Sequence, residues 1–253
     1  MAASIVVDSV SKQFTLRHAK TLKRMTTQLI RREPLKGSFH ALDDVSFSVQ
    51  PGESIGLMGH NGSGKSTLLK LISGVMRPDS GSVRVAGRIA GLIGVGAGFH
   101  PDMTGRQNIY LNGAIIGMSE AEINAKLDAM VDFADVGKFL DSEVRHYSSG
   151  MYMRLGFAVA VHADSDVFLV DEGLAVGDAP FKRKCIRKIK DLHEEGRTMF
   201  FVSHSTGQVK QLCDRAVVLQ EGRMVLDSTP EEAETYLHQV EGEDDDVPGD
   251  DDI

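Results

Sequence analysis

The chain has 253 residues, 42% of them apolar, which is ample for one hydrophobic core and marginal for two domains. Its formal net charge of −8 belongs to the C-terminus, because residues 241–253 contain eight acids and no base, whereas residues 1–240 are neutral. A neutral body gives no electrostatic reason to expect DNA or RNA as a partner.

Cysteine content and the lack of long apolar segments limit the class of protein further. Cys185 and Cys213 are too few for a disulfide framework and do not have the spacing of metal ligands, so we expect two reduced thiols. No stretch approaches the ~20 apolar residues of a membrane span. The N-terminus lacks the basic start and apolar run of a signal peptide. We therefore expect a soluble chain made in the cytoplasm.

Short apolar runs alternate with helical patterns, which predicts an α/β domain with a largely parallel sheet. Residues 5–10 form a first strand, and Val45, Phe47 and Val49 alternate with serines as in a half-exposed antiparallel strand. Residues 216–219 are predicted to form a further strand. Three continuous apolar runs are typical of strands that helices cover on both faces: 54–58, 167–171 and 199–203.

The pattern changes to helix between residues 100 and 165. Residues 120–135 are amphipathic, and residues 150–163 are rich in small and apolar side chains. A helical subdomain over about 100–165 therefore interrupts the core. A helix over 230–239 ends a domain that we assign to residues 1–240, and the acidic residues 241–253 cannot bury enough apolar surface to fold.

A phosphate-binding motif follows the strand at 54–58. Residues 59–66, the phosphate loop, fit G-x-x-x-x-G-K-[ST], and an apolar-periodic helix over 67–75 comes next. The glycines let successive N–H groups face phosphate oxygens, and the helix N-terminus adds positive charge. A coincidental glycine-rich turn is the alternative, and the flanking strand and helix argue against it. The candidate ATP-binding residues here are Gly59, His60, Asn61, Gly62, Ser63, Gly64, Lys65, Ser66 and Thr67.

The candidate catalytic groups follow two later strands. Ser66 and Asp171 are candidate ligands of Mg²⁺, and Glu172 is placed to polarise the water that attacks the γ-phosphate. His204 comes after the strand at 199–203, where it can hydrogen-bond the γ-phosphate; an ordinary loop histidine is the alternative. Lys65 is expected to reach the β and γ phosphates.

A further motif precedes the second helix of the insertion. It is the signature segment, Tyr147-Ser148-Ser149-Gly150-Met151. Together with the phosphate loop, Asp171-Glu172, Ala175-Val176-Gly177-Asp178 and His204, it makes the chain resemble an ABC transporter ATPase subunit over nearly residues 1–238. The commoner signature is Leu-Ser-Gly-Gly-Gln, of which only Ser148 and Gly150 are kept. Residues 147–155, 96–101 and 104–109 look like the Wzt type, the ATPases of exporters for lipid-linked O antigens, teichoic acids and galactans, with capsule exporters as close cousins.

The resemblance implies a homodimer that packs head to tail. Ser148 and Gly150 of one copy then close over the ATP that Lys65 of the other copy holds, and Asp178 lies at the dimer contact. Binding of ATP closes the dimer, hydrolysis opens it, and two copies of an integral-membrane permease of the Wzm type follow the movement. The chain is then a peripheral protein on the cytoplasmic side of the plasma membrane, and the cargo is a polyprenyl-pyrophosphate-linked polysaccharide.

The sequence departs from the family pattern at one position, and at another position the pattern leaves two candidate residues. The family's glutamine after the strand at 88–93 is missing, because residues 90–99 contain no Gln, and Gln107 matches another family position. The residue that replaces this glutamine is unassigned. The aromatic platform for adenine is Phe14, with Phe39 as the alternative; without the motif, Phe14 reads as a core residue.

A basic amphipathic helix is predicted at about 16–33, an insertion relative to an ordinary ABC domain. Apolar residues recur there every three or four positions, and lysines and arginines occupy the other faces. One interpretation is a solvated helix packed on the domain. The other is a surface helix at the anionic cytoplasmic leaflet, which attracts polybasic segments by ~1 kcal/mol per Lys or Arg, and where the helix can meet the pyrophosphate of the lipid-linked glycan.

Other functions within and outside the transporters remain as alternatives. One is the ATPase of another ABC transporter, for capsule polysaccharide, a drug or a small molecule. From a different class comes a soluble ABC ATPase of translation or repair, but those carry a second ATPase domain or a long coiled coil, for which the chain has no room. Only fourteen residues follow the last predicted helix, so we expect no carbohydrate-binding domain and no gating by an end cap.

Overall fold

A computed structural model describes residues 4–16, 37–92, 98–171 and 178–245. The strands of this part of the chain are β1 Ile5–Leu16, β2 Gly37–Val49, β3 Ser54–Met58, β4 Ser80–Val85, β5 Ile89–Leu92, β6 Val167–Asp171, β7 Thr198–Val202, β8 Arg215–Gln220 and β9 Arg223–Ser228. Its α-helices are α1 Lys65–Ile72, α2 Gly105–Ile115, α3 Glu120–Ala134, α4 Ser149–His162, α5 Ala179–Glu194, α6 Thr206–Leu212 and α7 Pro230–Asp245. No helix in these ranges is both long and apolar enough to cross a lipid bilayer.

The centre of the fold is a sheet in the order β5-β6-β7-β3-β8-β9, parallel except for β9 at its edge. Every residue of β3 and β7 is buried. Successive residues of β6 enter two different cores: Phe168 packs with the helices of the insertion, whereas Leu169 packs with α1 and the second sheet. The predicted α/β class with a largely parallel sheet is confirmed.

The second sheet is antiparallel, in the order β2-β1-β4. Val45, Phe47 and Val49 are buried and Ser46 is exposed, which is the alternation that the sequence predicts. This sheet, rather than helices alone, covers one face of the central sheet. β1 continues to Leu16, beyond the predicted 5–10, because its C-terminal half pairs with β2.

Three helices, α2 to α4, occupy the predicted helical insertion between β5 and β6. Side chains at the N-caps fix where several helices begin. Ser119, Ser148 and Asp178 each accept a hydrogen bond from a backbone N–H in the first turn of α3, α4 and α5. Such a cap satisfies a donor that the helix itself leaves unpaired.

Several element boundaries differ from the prediction. α1 begins at Lys65 rather than at residue 67, because the loop ends at Gly64, whose φ of 109° is incompatible with a helix. β7 is shifted by one residue to Thr198–Val202. Leu16, predicted to open the basic helix, ends β1 instead, because it pairs with Gly37; the rest of that helix, 17–33, lies outside the described residues.

The C-terminal helix is also longer than predicted. α7 ends at Asp245, so the backbone of residues 241–245, which we assigned to a disordered tail, is helical. A helix that is already nucleated gains one hydrogen bond with each residue added, and this explains the extension. The remainder of the predicted tail, 246–253, lies outside the described residues.

Candidate functional site

The candidate site lies where the carboxyl ends of β3, β7 and β6 meet. These strands are parallel neighbours, with β7 between the other two. The phosphate loop follows β3, Asp171 is the last residue of β6, and His204 comes two residues after β7. This edge of an open parallel sheet is where such folds bind ligands. The structure thus brings the phosphate loop, Asp171 and His204 to one edge of the sheet.

Glycines determine the path of the phosphate loop. Gly59, Gly62 and Gly64 have φ angles of 138°, 86° and 109°, which side-chain-bearing residues rarely adopt. A Cβ atom at Gly59 would lie 2.1 Å from the carbonyl oxygen of Leu219, and one at Gly64 would lie 2.4 Å from that of Ala41. The loop is therefore packed against backbone from β8 and β2.

Lys65 is buried, with only 5% of its surface exposed. Its ammonium group donates hydrogen bonds to the carbonyl oxygens of Gly59 at 2.7 Å and His60 at 2.9 Å. The lysine side chain thus contacts the first two residues of the loop. A buried cation is stabilised by partners that carry negative charge, which a phosphate group supplies.

The other residues of the loop differ in exposure. His60, Asn61 and Gly62 are exposed, Ser66 is exposed at the start of α1, and Thr67 is half-buried. Ser63 is buried, and its hydroxyl finds no hydrogen-bond partner among the described residues. The backbone N–H of Gly222 donates to the carbonyl of Ser63 at 3.0 Å, so the turn between β8 and β9 supports the loop from behind.

The turn after β7 is held by Ser203. Its backbone N–H donates to the carbonyl of Leu57 in β3 at 3.2 Å. Its hydroxyl accepts from the N–H of Ser205 at 3.0 Å and donates to Gln208 at 3.2 Å. These bonds fix the turn that carries His204, which is exposed. Ser203 had no role in the sequence prediction.

Three parts of the predicted site lie outside the described residues. They are Glu172, the segment 175–177 before Asp178, and residues 93–97, half of the stretch 90–99 in which the family's glutamine is missing. Asp171, directly before Glu172, is half-buried at the end of β6, where it pairs with Val202 of β7.

The signature segment lies at the start of α4. Ser148 is exposed, and its hydroxyl accepts a hydrogen bond from the N–H of Met151 at 3.2 Å. Gly150 is half-buried, and a Cβ atom there would meet no atom closer than Ser148 Oγ at 3.8 Å. An accessible helix N-terminus of this kind stabilises a negative charge placed against it.

Asp178 is the N-cap residue of α5. Its carboxylate accepts from the N–H of Phe181 at 3.0 Å and from the guanidinium of Arg154 at 2.9 Å. Asp178 is exposed, so it is accessible to a second copy of the chain.

The two aromatic candidates for adenine stacking are neighbours. Phe14 of β1 pairs directly with Phe39 of β2, so both rings lie on one face of the antiparallel sheet. Phe14 is 36% exposed and Phe39 is 48% exposed, which rules out the reading of Phe14 as a core residue. The ammonium of Lys12 lies 5.8 Å from the Phe14 ring centroid.

The two thiols are unsuited to nucleophilic catalysis. Cys185 and Cys213 are both free, as predicted. Burial raises the pKa of each thiol to about 12, so the reactive thiolate is scarce at neutral pH. No part of the candidate site therefore depends on cysteine chemistry.

The family model for ABC transporters matches residues 42–175, more than half of the chain. The chain belongs to the ABC transporter family. The matched range of this cassette includes the phosphate loop, the helical insertion and β6, and a cassette of this family binds nucleotide. The sequence resemblance to this family is thus confirmed.

Several relatives of this cassette are named after export. The chain is 48% identical over 202 residues to the ABC transporter protein AbcA of Aeromonas salmonicida. It is 44% identical over 191 residues to the O-antigen export system ATP-binding protein RfbB of Klebsiella pneumoniae, and 41% identical over 220 residues to the teichoic acids export ATP-binding protein TagH of Listeria innocua. The alignments cover 80%, 75% and 87% of this chain and 66%, 78% and 65% of the relatives. The chain spans only 42% of RfbB of Myxococcus xanthus, with 48% identity.

Solved structures agree on the fold of the cassette. An ATP-binding subunit of an ABC transporter superimposes with a TM-score of 0.74 and 22% identity, over 92% of this chain and 93% of the other. A dimeric ATP-binding cassette in a post-hydrolysis state with ADP and Pi gives a TM-score of 0.71 and 20% identity, over 89% and 98%. At these identities the likeness establishes the ABC cassette fold.

One residue of the cassette that sequence reasoning missed is Arg154. It belongs to the run 147–155 that carries the resemblance, but it had no role assigned. The available signal is that Arg154 is the sole arginine in the otherwise small and apolar stretch 150–163. A charged group in such a helix needs a partner, and the partner is Asp178.

Proposed function

We propose that this chain is the ATP-hydrolysing motor subunit of an ABC exporter that moves a polyprenyl-pyrophosphate-linked polysaccharide across the cytoplasmic membrane. One observation carries the ATPase part: a phosphate loop with a buried lysine shares one sheet edge with Asp171 and His204. The export part is supported by 41% to 48% identity to proteins named for O-antigen and teichoic acid export.

In this proposal the phosphate loop binds the nucleotide. Its backbone N–H groups and the N-terminus of α1 surround the β-phosphate, and Lys65 exchanges its carbonyl partners for β- and γ-phosphate oxygens. The adenine stacks on Phe14, with its neighbour Phe39 beside it on the same face. Stacking on an exposed ring requires little rearrangement of the protein, and the nearby Lys12 adds positive charge.

Mg²⁺ fits the oxygen donors at this edge. Ser66 has an exposed hydroxyl at the start of α1, and Asp171 has a carboxylate at the end of β6. Hard oxygen ligands are those that Mg²⁺ prefers, usually few from the protein and the rest from phosphates and water. When bound, the ion neutralises charge on the phosphates. Glu172 accepts the proton of the attacking water, and His204 hydrogen-bonds the γ-phosphate.

A homodimer completes the site in this proposal. Ser148 and Asp178 are exposed, and the N-terminus of α4 is accessible, so a second copy can place its ATP there. One partner in this proposal is therefore a second copy of the chain. The other partner is a membrane permease, in two copies. The motor is a peripheral protein on the cytoplasmic side of the plasma membrane.

The test is the variant Glu172→Gln. We expect it to keep ATP affinity, because Lys65 and the loop are unchanged, and to lose steady phosphate release and accumulate an ATP-bound dimer. Phosphate release and light scattering measure these quantities. Glu232→Gln, the same change at an exposed acid of α7, is the control and should behave like wild type. Rapid steady hydrolysis by Glu172→Gln would refute the assignment of Glu172 as the general base.

The wild-type chain and the Glu172→Gln variant also test the export part of the proposal. In proteoliposomes that hold the membrane subunit of the same system, a lipid-linked polysaccharide should stimulate hydrolysis by the wild-type chain and not by Glu172→Gln. Stimulation by small molecules alone would refute the assigned cargo while leaving the ATPase assignment intact.

A further inference from the structure

Asp79 lies in the segment between α1 and β4 and makes three hydrogen bonds to the C-terminal half of β1. Its backbone N–H donates to the carbonyl oxygen of Ser11 at 3.0 Å. One oxygen of its carboxylate accepts from the ammonium of Lys12 at 2.8 Å, and the other accepts from the backbone N–H of Gln13 at 2.8 Å. A single residue is thus bonded to three successive residues of β1, directly before the exposed Phe14.

The Asp79 side chain takes over where the pairing of two strands ends. β4 begins at Ser80, which faces Ser11 in the last pair that β4 forms with β1. Pro78, directly before Asp79, has no N–H and cannot continue a ladder of backbone hydrogen bonds. The N–H of Gln13 still requires an acceptor, and the carboxylate supplies it. The part of β1 beyond β4 is therefore held by a side chain in place of a strand.

The same carboxylate holds Lys12 against the Phe14 ring. The hydrogen bond from Lys12, and then the one from Gln13, lowers the pKa of Asp79 below its ordinary 3.8, so the group is charged at neutral pH. The Lys12 side chain is only 15% exposed, and its ammonium lies over the Phe14 ring, 5.8 Å from the centroid. A cation over the face of a ring at this distance is attracted to it. Asp79 therefore restrains the ring through Lys12 as well as through the backbone.

The strands that carry the two exposed rings are also packed against the phosphate loop. Phe14 pairs with Phe39 of β2, and Ala41 lies two residues further along β2. A Cβ atom at Gly64 would lie 2.4 Å from the carbonyl oxygen of Ala41, so β2 is in close contact with the loop. α1, which begins at the loop, shares a hydrophobic core with Leu42 of β2. The phosphate loop and the strands of the two rings are therefore parts of one packed unit.

We infer that Asp79 is a positioning residue for the nucleobase, which holds the Phe14 ring in a fixed place relative to the phosphate loop. The inference rests on the proposed function, in which adenine stacks on Phe14 while the loop binds the phosphates. Stacking requires a ring at a defined distance and orientation, whereas the phosphates contact the loop and α1. Loss of Asp79 should therefore weaken binding of a nucleoside triphosphate and leave binding of inorganic triphosphate unchanged.

Four variants remove these connections in steps. Asp79→Ala removes both contacts of the carboxylate. Asp79→Asn keeps an oxygen that can accept from the Gln13 N–H but loses the charge that holds Lys12. Lys12→Met keeps an apolar stem and removes the ammonium over the ring. Phe14→Ala removes the ring itself and so gives the full size of the stacking contribution.

The experiment titrates the full chain, with Mg²⁺ present, with the nonhydrolysable analogue β,γ-imido-ATP and separately with inorganic triphosphate. For Phe14→Ala we expect the affinity for the analogue to fall about tenfold, the size of a lost stack between a base and an aromatic ring, and for Asp79→Ala about fivefold. Asp79→Asn and Lys12→Met should each cost about twofold, as for a lost contact between a cation and a ring. The affinity for triphosphate should not change. In phosphate-release assays KM for ATP should rise by the same factors, with kcat unchanged.

Asp141→Ala is the matched control and should match wild type, because Asp141 is an exposed aspartate of the helical insertion whose carboxylate accepts from Arg106 at 2.8 Å. Thermal unfolding is measured on every variant, and if Asp79→Ala does not fold, Asp79→Asn and Lys12→Met make the same comparison.

The outcomes separate the inference from the proposed function. Failure of the wild type to bind the analogue would refute the proposed function itself. Unchanged affinity for the analogue in Phe14→Ala would refute the adenine platform, and the role of Asp79 with it. If Phe14→Ala behaves as expected, two results overturn the inference alone: wild-type affinity for the analogue in the folded Asp79 variants, or equal losses of affinity for the analogue and for triphosphate.

Discussion

At the scale of single residues, two glycines of the phosphate loop have positive φ angles but different surroundings. Gly59 and Gly62 both have positive φ. A Cβ atom at Gly59 would overlap the backbone of Leu219, whereas one at Gly62 would meet nothing within 4 Å. Backbone conformation alone therefore requires glycine at Gly62, and conformation together with packing requires it at Gly59.

The first prediction compares alanine at these two positions. Gly62→Ala should cost roughly 1–2 kcal/mol of stability, because only the left-handed conformation is penalised. Gly59→Ala should cost more and should also weaken ATP binding, because the loop must move away from β8 to make room. Urea unfolding and nucleotide titration measure both effects. Equal losses in the two variants would contradict the packing argument.

At the scale of elements, Glu122 connects α3 to the central sheet. Its carboxylate accepts from the guanidinium of Arg88, just before β5, at 2.9 Å and from the N–H of Asp164, just before β6, at 3.0 Å. Burial raises the pKa of Glu122, but these hydrogen bonds and the charges of Arg88 and Lys126 outweigh it, so the pKa lies below its ordinary 4.5. The helical insertion is thus attached by a charged contact as well as by its apolar core.

The second prediction concerns how stability changes with pH. Because the folded-state pKa of Glu122 is lowered, its contribution is complete above an unfolded-state pKa of 4.5 and is lost as the pH falls through the folded-state pKa. The stability difference between wild type and Glu122→Gln should therefore be constant at neutral pH and shrink as the pH falls below 4.5. Unfolding free energies across this range measure it.

Glu120→Gln is the control for this experiment. Glu120 lies in the first turn of the same helix and is exposed. A difference between wild type and Glu122→Gln that stays constant with pH would show that the contact does not depend on the charge of Glu122.

At the scale of the whole molecule, charge is distributed unevenly along a chain whose residues 1–240 are neutral. The acids of 241–253 begin within the last turns of α7, and the basic segment predicted over 16–33 starts at the last residue of β1. In the proposed exporter the basic segment contacts anionic lipid or the pyrophosphate of the cargo. Its contribution then belongs to transport and not to the ATP site.

The third prediction neutralises three cations of this segment. Lys20, Lys23 and Arg24 changed together to Gln should reduce polymer export while leaving basal hydrolysis largely intact, since each contributes ~1 kcal/mol at an anionic surface. Export by proteoliposomes and phosphate release by the free chain measure the two activities. Arg183, Arg187 and Lys190, exposed on α5, changed in the same way, are the control. Equal loss of export and hydrolysis would show that the segment is structural.

Features that depend on residues adjacent in the sequence could be predicted from the sequence. The strand before the phosphate loop, the glycines within it and the helix after it follow from adjacent side chains, and so do the acid at the end of β6 and the family to which the chain belongs. The length of α7 could not be read, because its extension to Asp245 depends on a helix already formed upstream.

The sequence by itself therefore determined the α/β class, the phosphate loop and the candidates for metal binding and catalysis, since each rests on a short local pattern. Tertiary structure alone decided which distant residues meet. It made Phe14 and Phe39 neighbours across two strands, and it paired Arg154 with Asp178. Such contacts depend on how helices and strands pack, and a pattern of adjacent residues does not contain that information.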